Sequence, residues 1–130
     1  MAAQLDFIGI TTDDMARSLA FYRLLGVDIP EPQEGQDHVE AVLANGLRLG
    51  WDTTELVQSF DAGWEPANGG ARTSLAFLCD APAAVDDLYA ALEQAGYPGR
   101  KEPWDAFWGQ RYATLHDPDG NPVDLYANLS

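Results

Sequence analysis

The chain repeats one arrangement of elements twice, and no other feature of the sequence constrains the fold as strongly. In each half a strand pattern precedes an amphipathic helix pattern, which ends at Gly26 in the first half and at Gly96 in the second. A short strand and a hairpin follow each helix, with Gly46 and Gly120 at equivalent turns. We therefore predict an α+β fold of two βαβββ modules, whose sheets form one concave mixed sheet with the helices outside.

The module boundaries follow from the same patterns. The 130 residues fit one domain, 1–130, because a chain of this length can bury a single sizeable core. Module one is predicted over 4–52 and module two over 71–129. The stretch 53–70 between them is less regular and ends in Gly-Gly, so it is interpreted as a connector.

Within module one the pattern predicts a strand over 5–12, a helix over 14–25 and a hairpin over 38–52 that turns at Asn45-Gly46. A short, proline-limited edge strand is predicted over 27–32. Module two is predicted to contain, in order, a strand over 72–79, a helix from Pro82 to Gly96, and strands over 100–104, 108–117 and 121–129.

The charge of the chain restricts its partners. Seven Lys and Arg against 21 Asp and Glu give a net charge of −14, which repels nucleic-acid phosphates and anionic membranes. A cationic ligand is favoured by this charge, although simple solubility is the preferred explanation of it. No apolar run is long enough to span a bilayer and no signal peptide precedes the first strand, so we expect a cytoplasmic protein.

Two segments carry a resemblance to a known family. The helix segment DDMARSLAFYRLLG (13–26) and the ending WGQRYATLHDPDGNPVDLYA (108–127) resemble the vicinal-oxygen-chelate superfamily of glyoxalases, dioxygenases and bleomycin-resistance proteins. The resemblance implies paired βαβββ modules and a concave sheet that encloses the site. It also implies a homodimer with pockets at the interface.

In the enzymes of that superfamily the concave sheet presents His, Glu or Gln ligands to a divalent metal. The resemblance places Phe7, Gly50 and Ser74 at three of these positions, and Asp124 at the fourth. One carboxylate among four positions cannot hold a divalent ion against water. We therefore expect neither a metal nor another cofactor.

The sequence assigns no catalytic residue, although acid–base chemistry without a metal stays open. His116, Asp124 and Glu102 are the groups that could perform it. His38 begins a strand, where a solvated role is the simpler interpretation. For His116 a structural role is the simpler interpretation. It nevertheless shares a strand face with Tyr112 and can lie on the concave side of the sheet.

Aromatic residues cluster near the predicted openings of the fold. Flat aromatic walls suit flat, conjugated ligands, which stack on them. The alternative is that several of these rings belong to the core or to a dimer interface. The candidate ligand-binding residues are Phe7, Trp51, Phe60, Trp64, Trp104, Phe107, Trp108, Tyr112, His116, Asp124 and Tyr126.

These features together are similar to the metal-free members of the superfamily that bind antibiotics. We therefore expect a binding protein that sequesters a bulky aromatic molecule of the bleomycin, mitomycin or enediyne kind. The alternative is an enzyme of the same fold, either a glyoxalase- or dioxygenase-like metalloprotein or a metal-free isomerase. An accessory or regulatory domain is a third interpretation.

Overall fold

Two separate β-sheets organise the chain, one in each half. The computed structural model describes residues 2–31 and 35–130 and divides into two units, Met1–Pro66 and Ala67–Ser130. The boundary between the units lies inside the stretch that the sequence indicates as a connector.

Unit 1 contains a three-stranded mixed sheet in the order β1-β3-β2. Strand β1 runs parallel to β3, and β2 pairs with β3 in antiparallel fashion. The elements are β1 (Phe7–Thr12), α1 (Met15–Leu24), β2 (His38–Val42), β3 (Arg48–Thr53) and α2 (Thr54–Phe60).

Unit 2 repeats this topology with one additional strand, in the order β4-β7-β6-β5. The first strand again runs parallel to the last, and the strand before the last is antiparallel to it. The elements are β4 (Leu75–Leu78), α3 (Pro82–Gln94), β5 (Gly99–Ala106), β6 (Gln110–His116) and β7 (Pro122–Asn128). The shared topology confirms the predicted duplication and the α+β fold class.

Helix α1 begins and ends where its sequence signals predict. The side chain of Asp14 accepts a hydrogen bond from the backbone N–H of Arg17 at 3.1 Å and so caps the first turn. Gly26 follows the helix with φ of +103°, a conformation that glycine adopts without strain. The helix buries its apolar face, including Leu19 and Tyr22, which are fully buried.

Helix α3 covers one face of the second sheet. Pro82 occupies its first turn, where the missing backbone N–H costs no hydrogen bond. The helix packs on β5, β6 and β7. The fully buried residues of this core are Val85 and Leu92 from the helix and Ala113, Leu115, Val123 and Leu125 from the sheet.

The predicted edge strand over 27–32 is wrong for 27–31, and residue 32 lies outside the described residues. Val27 and Ile29 are buried, as the alternating pattern indicates, but the segment joins no sheet. The Arg23 guanidinium donates to the carbonyl of Ile29 at 3.2 Å and forms an ion pair with Glu31. Hydrogen bonds from a side chain of the preceding helix thus replace the backbone hydrogen bonds that a neighbouring strand was expected to supply.

Three further elements differ from prediction. Strand β4 covers only Leu75–Leu78 of the predicted 72–79. The connector begins with helix α2, which Thr53 caps by accepting a hydrogen bond from the N–H of Leu56 at 3.2 Å. Strand β5 extends from Gly99 to Ala106, beyond the predicted 100–104, and its pairing with β6 has two irregularities between Gly99 and Trp104. Among the described helices, none combines the length and apolar character that a membrane crossing requires.

Replacement of Gly99 by alanine should destabilise unit 2. A Cβ at this position would overlap the hydroxyl and ring of Tyr89, which belongs to α3, is 7% exposed and has little room to move. We expect Gly99→Ala to lower the free energy of unfolding by about 1–3 kcal/mol, the usual cost of overpacking. Chemical denaturation measures this value. Gly70→Ala, where the added Cβ meets no neighbour, is the control, and equal stability of the two variants would contradict the prediction.

Candidate functional site

Each sheet has one face covered by its long helix and one open face, and the open faces carry the functional candidates. In unit 1 the paired residues of the open face come from all three strands. They are Phe7, Gly9 and Thr11 of β1, Arg48, Gly50 and Asp52 of β3, and His38, Glu40 and Val42 of β2.

The ring of Phe7 lies against Gly50 on this open face. A Cβ at position 50 would overlap the ring, so the close approach requires glycine there. The Arg48 guanidinium stands 5.0 Å from the ring centroid, in a cation–π contact. The His38 ring is stacked at 6.3 Å with an interplanar angle of 22°. Phe7 therefore fills the centre of the open face.

Charged side chains form a continuous network around Phe7. Arg48 donates to Asp6 at 2.8 Å and to Glu40 at 3.0 Å. His38 contacts Glu40 through Nε2 at 2.7 Å and Asp52 through Nδ1. Hydrogen bonds to Asp52 and then to Glu40 raise the pKa of His38 above its ordinary value, and the bond from His38 lowers the pKa of Glu40. The network favours a protonated His38.

The open face of unit 2 carries a row of rings in mutual contact, which we call the aromatic row: Trp104, Trp108, Tyr112 and Tyr126. Trp108 meets Trp104 edge-on at 5.5 Å and Tyr112 edge-on at 5.3 Å, both measured between ring centroids. Tyr112 stacks on Tyr126 at 6.2 Å. Strand pairing produces the row, because Trp104, Tyr112 and Tyr126 are opposite one another on β5, β6 and β7.

The outer end of the aromatic row is the tip of the β5–β6 hairpin. Gly109, with φ of +91°, allows the chain to turn, and its N–H donates to the carbonyl of Ala106. Phe107 is 89% exposed and Trp108 is 48% exposed. The indole N–H of Trp108 donates to Gln110 Oε1 at 2.9 Å, which fixes the ring against the row.

The inner end of the row is a carboxylate. Asp124 is 9% exposed, and its Oδ2 accepts a hydrogen bond from the Tyr112 hydroxyl at 2.7 Å and one from Ser74 at 3.5 Å. Burial, and then the bond to Asp124, raise the pKa of Tyr112 to about 12. The Tyr112 phenol is therefore a neutral hydrogen-bond donor at physiological pH.

The structure brings together five of the predicted ligand-binding residues, namely the aromatic row and Asp124. Phe107 is at the hairpin tip beside them, with its ring 5.0 Å from Trp108. His116 is on the same open face as Tyr112, opposite Pro122 at the far end of β6. Their contact with a ligand stays a prediction, as do the homodimer and its interface pockets.

Trp51 is a correction to the predicted set. Its side chain is fully buried, and its ring lies 5.5 Å from that of Tyr22 on α1. Gly50 and Asp52 are on the open face, so the alternation of the strand turns the residue between them toward the helix. Trp51 belongs to the core of unit 1 and not to a rim.

The other predicted residues of unit 1 are dispersed. Phe60, at the end of α2, is 73% exposed, and Trp64 is half-buried beyond that helix. Sequence reasoning missed the contribution of Arg48, Glu40 and Asp52. The alternation of β2 and β3 is the signal that could have found them, since it places all three on the face of Phe7.

The four positions that the resemblance assigns to metal ligands do not fit a metal. In unit 1 the Phe7 ring covers Gly50, so neither position supplies a donor and no donor side chain can be added beside the ring. In unit 2 the two assigned positions, Ser74 and Asp124, each have a side-chain oxygen. The Asp124 carboxylate, however, already accepts hydrogen bonds from the Ser74 and Tyr112 hydroxyls. Across residues 2–31 and 35–130, no group of three or more His, Cys, Asp or Glu side chains is arranged to hold a metal ion.

Phe7 and Gly50 should show strong energetic coupling. Gly50→Ala should displace the Phe7 ring and lower the free energy of unfolding by roughly 1 kcal/mol, because the ring loses its contacts with the sheet and with Arg48. In a Phe7→Ala background the same change should cost nothing, because no ring is left to displace. A double-mutant cycle in urea measures the coupling, and additive effects would contradict the contact.

His38 should make the stability of the chain depend on pH. Because its pKa is raised in the folded state, its contribution is fully present below the unfolded value of 6.5 and is lost as pH rises through the folded value. The stability difference between wild type and His38→Gln should therefore be larger at about pH 6 than at about pH 9. Urea unfolding at both pH values measures it, with His116→Gln as control. A difference that is constant with pH would refute the prediction.

Comparisons with known proteins agree with this architecture. The family model of the glyoxalase/bleomycin resistance protein/dioxygenase superfamily matches residues 4–125. A crystal structure of an enzyme of that family from Burkholderia phytofirmans is similar, with a TM-score of 0.83 and 23% identity over 98% of this chain and all of the other. Among proteins with curated descriptions, none matches the sequence.

Two structures from Agrobacterium tumefaciens are also similar. The solution structure of protein ATC0852 has a TM-score of 0.75 and 28% identity over 99% of this chain and all of the other. A lactoylglutathione lyase has a TM-score of 0.68 and 22% identity over 98% of this chain and 95% of the other. These likenesses concern the fold. With the family model matching most of its length, the chain belongs to the glyoxalase/bleomycin resistance protein/dioxygenase superfamily.

Proposed function

We propose that the protein binds a flat aromatic small molecule on the open face of unit 2 and holds it without chemical change. The ligand class is an antibiotic of the bleomycin, mitomycin or enediyne kind. The observation that carries this proposal is the aromatic row, which runs from an exposed tip at Trp108 to a buried carboxylate at Asp124.

The row supports stacking because its outer part is exposed and fixed in orientation. Trp108 is held by its hydrogen bond to Gln110 and by edge contacts with Trp104 and Tyr112. A ring that is already ordered loses little conformational entropy when a ligand stacks on it. Each well-made stack contributes about 0.5–1.5 kcal/mol beyond the burial of apolar area.

The residues at the positions of the superfamily's metal ligands support binding over metal-assisted chemistry. Phe7 and Gly50 supply no donor atoms, and Asp124 is engaged by two hydroxyl groups. A sequestering protein needs no activated water, nucleophile or general base. It needs affinity, which buried aromatic contact area can supply.

Trp108→Ala should weaken binding of a polycyclic antibiotic by about tenfold, because truncating a central aromatic contact typically costs more than 1 kcal/mol. Isothermal titration calorimetry with bleomycin, mitomycin C and an enediyne measures the dissociation constant without depending on tryptophan emission. Leu24→Ala removes an apolar side chain of similar exposure, 44%, from α1 and is the matched control.

Unchanged affinity in Trp108→Ala, or equal losses in both variants, would contradict the proposed surface. Metal analysis of the purified protein provides an independent check. One tightly held divalent ion per subunit would instead favour an enzyme, such as the similar lactoylglutathione lyase.

A further inference from the structure

Asp124 has an unusual set of partners for a buried carboxylate. Both of its hydrogen bonds, from Tyr112 and from Ser74, fall on the same oxygen, Oδ2. Both donors are neutral hydroxyl groups. Oδ1 accepts no hydrogen bond within residues 2–31 and 35–130 and is open to solvent at the inner end of the aromatic row.

Two cations of unit 2 near this sheet, Arg111 and Lys101, already have partners other than Asp124. Arg111 faces the opposite side of β6, where it pairs with Asp86 at 3.0 Å and with Asp105 at 3.1 Å. The Lys101 ammonium lies 4.8 Å from the ring centroid of Trp104. Within residues 2–31 and 35–130, no lysine, arginine or histidine forms an ion pair with Asp124.

The Asp124 carboxylate, at this low exposure, would be stabilised by a partner of opposite charge. Transferring a carboxylate from water to a site that is 9% exposed is costly unless opposite charge or several hydrogen bonds compensate it. The two hydroxyl donors on Oδ2 compensate part of this cost, and solvent at Oδ1 compensates a further part. A cation that reaches Oδ1 would complete the compensation.

The aromatic row also suits a cation. Lys101 already places a positive charge over the face of Trp104, so this surface accommodates cation–π contacts. Tyr112 and Tyr126 lie next to Asp124 on β6 and β7, both on its side toward the hairpin tip, so a flat ligand that stacks on them can bring a ring nitrogen or an amine to the carboxylate. The net charge of −14 raises the local concentration of cations around the protein.

We infer that Asp124 is the specificity-determining residue of this surface and that the ligand is a planar aromatic cation, whose charged nitrogen donates to Oδ1. The inference rests on the proposed function, since it specifies the ligand of the same aromatic row. It predicts discrimination between ligands of equal shape and different charge.

The test uses two tricyclic probes of similar size. 9-Aminoacridine is a cation at neutral pH, and acridone is neutral. Wild-type protein should bind 9-aminoacridine about tenfold more tightly than acridone, as expected for a hydrogen bond between charged groups. Asp124→Asn, which preserves the shape of the side chain and an acceptor for Tyr112, should lose this preference.

Asp87→Asn is the matched control. It removes the same charge from an exposed position of α3, on the opposite side of the sheet, and should keep the preference. Thermal unfolding verifies that both variants fold. If Asp124→Asn does not fold, the ratio of the wild-type affinities for the two probes still tests the inference.

Equal affinity of wild type for the two probes would overturn the inference. So would equal losses of preference in the Asp124 and Asp87 variants, which would indicate general attraction by the net charge. In either case acridone binding that is lost in Trp108→Ala would leave the proposed function standing. Failure of both probes to bind would overturn both proposals together.

Discussion

The parallel pairing of the first and last strands within each unit is the interaction on which the rest of the structure depends. It joins residues far apart in sequence: Phe7 lies opposite Arg48, and Ala76 lies opposite Asp124. A hairpin partner then pairs with the last strand from its other side. Once this register is set, alternation assigns every side chain to the helix-covered face or to the open face.

The two units use the same topology for different chemistry. In unit 1 the open face is closed by the Phe7 ring and a network of charges that satisfy one another. In unit 2 the open face presents rings that contact one another in a line and end at a carboxylate with neutral partners. The two halves thus share one topology, and the residues at equivalent positions give each half a different open face.

The architecture was largely predictable because its signals are local. Asp14, Asn45-Gly46 and Pro82 each mark a helix start or turn through backbone chemistry that does not depend on the rest of the chain. The segment 27–31 was not predictable in this way, since a side chain from α1 satisfies its carbonyls. The ring contact between Phe7 and Gly50 likewise depends on tertiary register.

Placement of the candidate site was predictable only in part. Trp51 is one of the aromatic residues predicted near the openings of the fold, whereas alternation around Gly50 and Asp52 directs it into the core. Tyr112 and Asp124 share a face by parity across the final turn, so their proximity could be read from the sequence. The hydrogen bond between them could not, because it depends on a diagonal contact between neighbouring strands.

The fit of Phe7 over Gly50 also affects how this chain can evolve. A donor side chain introduced at position 50 would collide with the ring, and a histidine introduced at position 7 would lie over a glycine that supplies no second donor. Either change made first loses the existing contact without completing a metal site. The two positions are therefore epistatic, and a path from this sequence to a metal-binding relative must cross an intermediate that has neither arrangement.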